Sequence, residues 1–396
     1  MTVSVYLLGD DATLIWELTG RERLQRMLDG RDDVSLLADW QDKPAHDDLI
    51  IINTSYLIDP RLITALIQDA VPKILTHPDG APVAIRIAAD QVLQQAPKFL
   101  AADLATLSQL PRYTPETLPV GLQAKLKKKD LPYVLHIEAA EQAALEQELF
   151  SAAYKSVTDL VTKWWWPKPA LLATRWCVKR GITPNQVTLC GLALTILAGF
   201  AFAYGFYALG LVMGWIMTFL DTVDGKLARV TVTSSKHGDI LDHGIDLIHP
   251  PFWYLAWGLG LTGTTLAIPY LPSLMILLLI GYIGGRLCEA AFHIWAGPFT
   301  IFMWRPFDSI NRLITARRNP NMIMLTLSWV LGRPDIGFYL VVVWHLLSTL
   351  ILAVRVLWGC LLHRKQPVES WLDGIDIRND QHRLSVRWFT RLPYQQ

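Results

Sequence analysis

Cysteine is scarce: Cys177, Cys190, Cys288 and Cys360 are the whole set in 396 residues. No two stand at metal-ligand spacing, and each lies in or near an apolar stretch. They read as small buried hydrophobes and argue against a cysteine-built metal site. Charge is also scarce. Acidic and basic residues make up 18% of the chain, against 52% hydrophobic, and the net charge is +1. That balance is apolar for a soluble protein of this length and gives no whole-chain reason to expect nucleic-acid binding. The first residues, MTVSVYLLGDDAT, lack a basic lead-in and a long apolar run. No secretory signal is expected, so the first domain should remain in the cytoplasm.

The apolar residues are unevenly spread. Residues 1–150 mix charge and hydrophobicity as a soluble domain does, whereas long apolar runs take over from Val187. In the first part, Val3–Leu8, Asp48–Asn53, Ala81–Ala88 and Pro132–Ile137 read as strands, and Arg21–Leu28 and Pro60–Ala70 as helices. Strands alternating with helices predict an α/β domain with a mainly parallel sheet. Lys125–Lys129 is a basic cluster suited to a solvated helix end or a membrane-surface contact. Glu138–Lys163 reads as a helical connection, and Trp164, Trp165 and Trp166 suit the headgroup layer. Lys168–Arg180 reads as a helix lying in the interface, so 151–182 is assigned as linker and interfacial segment.

An all-α membrane domain is expected over 183–360, opened by Thr183 as N-cap, Pro184 at the first helical position and Gln186 as a capping-box partner. Six spans are predicted at about 185–205, 207–226, 239–260, 265–290, 319–333 and 335–358, with Pro250 and Pro251 kinking the third. Basic residues cluster before span one (Arg175, Lys179, Arg180), between spans two and three (Lys226, Arg229, Lys236) and between four and five (Arg286, Arg305, Arg312, Arg317, Arg318). Arg355, Arg364 and Lys365 mark the end of span six. The positive-inside rule then places both termini on the cytoplasmic side of a cell membrane, with 361–396 as a polar tail.

The chemistry concentrates in DTVDGKLARVTVTSSKHGDILDHGID, residues 221–246. Asp221 and Asp224 are three apart at the end of span two, and Asp242 and Asp246 four apart at the start of span three. Each pair shares one helical face, and Asp239 stands nearby. A carboxylate inside a membrane costs about 2.5–3.5 kcal/mol at a helix centre, less near its edge. Two spans joined by a short turn can bring both pairs together, where like charges need a counter-ion. Hard oxygen ligands suit Mg²⁺ or Mn²⁺, which leave room for phosphate oxygens. Gly225, Ala228 and Gly238 open space beside the carboxylates, and Arg229 can grip a phosphate. An ion-pair knot with Lys226, Arg229 and Lys236 is the alternative arrangement.

The pattern D-x2-D-G-x2-A-R-x8-G-x3-D-x3-D, complete here, resembles the signature of the CDP-alcohol phosphotransferase family of integral membrane enzymes. TPNQVT at 183–188 resembles the opening of the family's first span, and the likeness extends over about 160–360. The resemblance implies six transmembrane helices and transfer of a substituted phosphate from a CDP-linked alcohol to an acceptor hydroxyl, with release of CMP. It implies that Asp221, Asp224, Asp242 and Asp246 hold metal, a pair of Mg²⁺ or Mn²⁺ ions, with Asp246 also the general base. Gly225, Ala228, Arg229 and Gly238 would surround CDP, with Asn185 and Thr188 nearby. A homodimer is implied by the same resemblance. Both a lipid donor, CDP-diacylglycerol, and a soluble one such as CDP-inositol fit.

Lys236, Arg286, Arg317 and Arg318 are cations that can hold an acceptor phosphate, and Glu289 and His293 share a helical face near them. The N-terminal domain is similar to the nucleotidyltransferase-like domain fused to some family members, as in inositol-phosphate cytidylyltransferase fusions. It has only Gly9-Asp10-Asp11 where such domains carry a glycine-rich basic loop, and Asn53-Thr54 where they carry a metal-binding Asp. It is therefore expected to be a catalytically inactive scaffold. A cation transporter, or an inactive membrane scaffold, would use the same Asp cluster for metal alone.

Overall fold

The computed structural model describes residues 2–392 apart from 104, 106, 108, 122–125, 235, 297–298 and 364–366. The side chains of Lys236, His237, Asp239, Leu241, Asp242, His243 and Ala296 also lie outside the described set. The first part of the chain builds a sheet from β1 (Val3–Leu8), β2 (Val34–Leu37), β3 (Leu49–Asn53), β5 (Lys73–Thr76), β6 (Pro82–Ile87) and β7 (Arg112–Tyr113). A separate pair, β4 (Tyr56–Ile58) and β8 (Val134–His136), stands beside it. Helices α1 (Gly20–Leu28), α2 (Pro60–Gln68) and α3 (Val92–Leu100) flank the sheet.

The strand order is β2-β1-β3-β6-β5-β7. β1 runs parallel to β2 and β3, and β5 to β7, but β6 is antiparallel to both β3 and β5. The sheet is therefore mixed, with β6 alone running against the other five strands. The cause is the short turn His77–Ala81, with Gly80 at φ +94°. A parallel crossover needs a dozen or more residues, so so short a connection forces a hairpin. Alternation along the strands fills both faces. Val3, Val5, Leu7, Ile50 and Ile52 pack on Leu24, Leu62 and Leu66. Leu49, Ile51, Ile85 and Ile87 pack on Ala96 and Phe99.

The connection to the membrane part is not one long helix. α4 spans Gln142–Ala152 and stops, and a wide turn over Val161–Trp165 leads into α5, Pro167–Lys179. Asp159 explains the restart: its carboxylate accepts the backbone N–H of Val161 and Thr162 at 3.1 and 3.0 Å, as an N-cap does. α5 corresponds to the expected interfacial helix. Trp164 and Trp165 are exposed, while Trp166 packs on Trp215 and Phe219.

Helices stand at all six expected positions: α6 (Pro184–Ala203), α7 (Tyr207–Val230), α8 (Lys236–Leu259), α9 (Leu271–Ala296), α11 (Arg318–Val330) and α12 (Pro334–His363). A short α10 (Pro306–Ile314) precedes α11. Among the described residues, four of them, α6, α7, α9 and α12, are long and apolar enough to cross a membrane. α8 falls short because it carries the Asp motif, and it runs on through Pro250 and Pro251. α11 has 13 residues, about 20 Å at 1.5 Å per residue, less than a bilayer core. Cys190 lies exposed on α6 among Leu189, Ile196 and Phe200, not in a core.

Two cores weld the soluble part to the helices. Trp16, Leu135, Leu149 and Phe150 pack with Ala170, Cys177, Val223, Leu227 and Val230, so the end of α7 is seated against the N-terminal domain. The segment after α12, expected as a polar extension, folds back and ends in α13, Leu384–Phe389. It buries Leu372, Ile375, Ile377, Val386 and Phe389 against Trp304 and Leu313. Lys129 Nζ donates to the Asp373 carbonyl at 2.8 Å, and Trp371 Nε1 to Ser309 Oγ at 3.0 Å.

Candidate active site

α6 begins with the expected capping box, in which Thr183 and Gln186 satisfy each other's backbone N–H. That fixed start places Thr188 one turn on, where its Oγ1 donates to Asp224 Oδ2 at 2.6 Å. Asp224 is buried, and its Oδ1 has no hydrogen-bond partner. Asp221, one turn earlier on α7, accepts from Arg318 Nη2 at 2.7 Å. Asp246 on α8 accepts from Arg318 Nη1 at 2.5 Å. One guanidinium, at the first residue of α11, thus bridges carboxylates from two helices. Two negative groups brought this close need such a counter-charge.

The small residues act as their type predicts. A Cβ on Gly225 would lie 3.0 Å from Arg229 Nη2, so glycine lets that guanidinium lie along α7. Ala228 is half-buried beside it, and Asn185 is exposed at the start of α6. Gly238 lies in the first turn of α8. The side chains of Asp242 and Lys236, two further predicted ligands, lie outside the described residues. Among the described residues, no three carboxylate, histidine or cysteine side chains form a metal cage.

Beside the carboxylates lies a cavity of about 370 Å³. Asp221 and Asp246 border it, as do the predicted Arg229, Arg286, Arg317 and Arg318. Lys226 also lines it; it donates to the Ala153 carbonyl at 3.2 Å and lies over the Tyr154 ring, rather than joining an ion-pair knot with Asp221 or Asp224. Glu289 pairs with Arg286 at 2.9 Å and with Arg317. Neither Glu289 nor His293 is part of the lining; Glu289 stands behind it on Arg286 and Arg317, and His293 is exposed.

Sequence reasoning missed Lys127, Lys155, Asp159, Arg312 and Asn319, which complete the wall. For the four charged ones the only signal was charge in segments outside the predicted spans, and Asn319 stands uncharged at the start of the fifth. Asn319 donates to Asp159 Oδ1 at 2.9 Å, which ties the start of α11 to the linker. Burial, then Arg312 and Arg317, hold the Lys127 ammonium well below the usual lysine range. Burial, then Arg317, push Arg312 down to about 9.

Residues 181–308 match the family model described as CDP-alcohol phosphatidyltransferase. The chain carries a CDP-alcohol phosphatidyltransferase domain. The matched segment holds the whole 221–246 motif but ends before α11, so it is shorter at both ends than the likeness over 160–360. Archaetidylinositol phosphate synthase of Pyrococcus horikoshii is 44% identical over 66 residues, 17% of this chain and 35% of that protein. Cholinephosphotransferase 1 of Gallus gallus is 33% identical over 140 residues, 31% of this chain and 38% of that protein. Its Homo sapiens counterpart is 29% identical over 130 residues, covering 29% and 30%. The chain thus spans about a third of the length of these curated relatives. The N-terminal part lies outside the segment that defines the phosphatidyltransferase domain.

Proposed function

We propose that this protein is a metal-dependent CDP-alcohol phosphotransferase of a cell membrane. It transfers a substituted phosphate from the CDP-alcohol to an acceptor hydroxyl and releases CMP. The observation that carries the reading is the pair Asp221 and Asp246, from two helices, bridged by Arg318 at the edge of a cavity rich in arginine, with Asp224 one turn from Asp221 in an adjoining hollow. The donor set is all oxygen, and Asp224 Oδ1 is a buried acceptor without a partner, which fits Mg²⁺ or Mn²⁺. Asp221, Asp224, Asp242 and Asp246 would hold the metal. A divalent cation there would neutralise phosphate charge and help CMP depart.

The chain's own groups supply the rest. Thr188 fixes the Asp224 carboxylate, and Arg229, with Gly225, Ala228, Gly238 and Asn185 around it, orients the CDP phosphates. Asp246, whose side chain is 43% exposed, is open to the cavity. It accepts the acceptor hydroxyl proton as that oxygen bonds to phosphorus and the bond to CMP breaks. Arg286, Arg317 and Arg318 lie where an acceptor's negative group would be held. All six helices cross the membrane in this reading, with α11 crossing in part. Residues 1–150 serve as an inactive scaffold on the cytoplasmic side, and the protein pairs as a homodimer.

The test is CMP release by the full chain in detergent with Mg²⁺ or Mn²⁺, offered CDP-diacylglycerol or CDP-inositol with candidate acceptors. Metal-dependent release, lost in Asp221→Ala and in a folded Asp246→Asn, is expected. Full turnover by Asp246→Asn would remove the general-base role. Cation flux without CMP release would favour a transporter.

A further inference from the structure

The cavity wall is not made by the phosphatidyltransferase domain alone. Lys127 and Lys155 come from the chain before α5, and Arg312 from α10, beyond residue 308. Around the cavity stand eight basic residues and three acidic ones. Three of the eight basic side chains are ion-paired with carboxylates. Arg318 bridges Asp221 and Asp246, and Arg286 and Arg317 share Glu289. Asp159 is occupied by two backbone N–H groups and Asn319.

Lys127, Lys155 and Arg312 differ. None makes a side-chain hydrogen bond or ion pair with any described residue. Arg312 is only 8% exposed, and its Nε and Nη1 have no partner. Lys127 is held with φ at +49°, a left-handed backbone that a lysine adopts at a cost. Lys127 is close enough to Arg312, Arg317 and Lys155 to be repelled by each, and Arg312 is repelled by Arg317. Glu289 opposes this repulsion at Lys127, and Asp159 and Glu289 oppose it at Arg312, but eight cations to three carboxylates in the wall leave an excess of positive charge that an entering anion offsets.

We propose that Lys127, Lys155 and Arg312 form the binding site for a phosphate monoester carried by the acceptor. The segment ahead of the membrane helices then selects the acceptor for the transferase site. This inference rests on the transferase reading above. A neutral polyol would leave the cations uncompensated, whereas a phosphate dianion offers three acceptor oxygens to them. Lys127 and Arg312 lie toward α9, α10 and α11, on the side of Arg317 and Glu289, and Lys155 lies near both Lys127 and Lys226 of α7. The proposed CDP contacts, Thr188, Gly225 and Arg229, lie on α6 and α7.

The experiment is calorimetric binding of glycerol 3-phosphate, glycerol, inorganic phosphate and CMP to the full chain in detergent. Lys127→Gly, Lys155→Ala and their double variant are compared with Lys179→Ala, an exposed control. Glycerol 3-phosphate should bind the parent protein and glycerol should not. Each single change should weaken glycerol 3-phosphate binding about tenfold, the loss of one charge-assisted contact, with CMP binding unchanged. Lys127→Gly relieves the left-handed strain, so its melting temperature should hold or rise while phosphate binding falls; a purely structural lysine would not behave so. Inorganic phosphate bound with the same dependence would assign recognition to the phosphate group alone. Inorganic phosphate left unbound would assign it to phosphate and polyol together. Unchanged glycerol 3-phosphate binding in the double variant would overturn the proposal. So would equal binding of glycerol, or CMP binding weakened to the same degree. A chain that binds glycerol 3-phosphate as described but never releases CMP would instead sink the transferase reading.

Discussion

Arg318→Met tests whether the carboxylate pair of α7 and α8 is a cation site. The guanidinium lies 2.7 Å from Asp221 and 2.5 Å from Asp246, with the arginine side chain 12% exposed. Removing one member of a buried ion pair costs about 3–5 kcal/mol, because the partner is left uncompensated. Asp246 is 43% exposed and Asp221 21%, so water screens part of that loss. About 2–3 kcal/mol is the expected net cost in EDTA. At about 2 °C per kcal/mol for a long chain, the melting temperature should drop by roughly 4–6 °C. A divalent cation that binds the same carboxylates replaces the missing charge. At a hundred times its Kd it should return about 2.7 kcal/mol. In the parent protein the metal must displace Arg318, so the stabilisation by Mn²⁺ should be smaller there. Thermal melts of both proteins, with EDTA and across a Mn²⁺ titration, give the comparison. Equal Mn²⁺ shifts in parent and variant would refute the reasoning, since Arg318 and the metal would then not compete.

Arg355 and Asp308 make a bidentate pair at 2.7 and 2.7 Å that ties α12 to α10, both side chains under 10% exposed. Arg355→Met should cost about 3–5 kcal/mol, and adding Asp308→Leu should restore much of it, read by denaturant or thermal melts of the double-mutant cycle. Burial pushes the Lys163 ammonium down to about 8, below its unfolded value of 10.5. Between these values the unfolded chain holds the extra proton, so the Lys163 penalty, present at pH 7, is relieved as pH rises through that window. Lys163→Met should therefore be stabilised relative to the parent at pH 7, and the difference should shrink toward pH 10, as melting across pH would record.

The chemistry was legible because it is local. Asp221 and Asp224 share a helical face by spacing alone, and the capping box at Thr183–Gln186 is set within four residues. The helices were legible from long apolar runs, although those runs do not by themselves make α8 and α11 into full spans. The mixed sheet was less legible. β5, one of its strands, is four residues long, and only the shortness of the following turn dictates its antiparallel partner. The tail beyond α12 was misread because its buried residues, Leu372, Ile375, Ile377, Val386 and Phe389, are scattered among charged ones. A scattered pattern has no period from which to read a buried face.

By itself the sequence determined which residue types are available and which of them share a face. That is enough for the family, the carboxylate motif and the helical membrane part, since each depends on neighbours a few residues apart. Only the tertiary structure decided which distant groups share a cavity. Lys127, Lys155 and Arg312 are separated by loops, strands and four long helices along the chain, and no spacing rule joins them. They meet because the end of α7 is seated on the N-terminal domain and α11 is tied to Asp159, and it is packing, not sequence distance, that places charges beside one another.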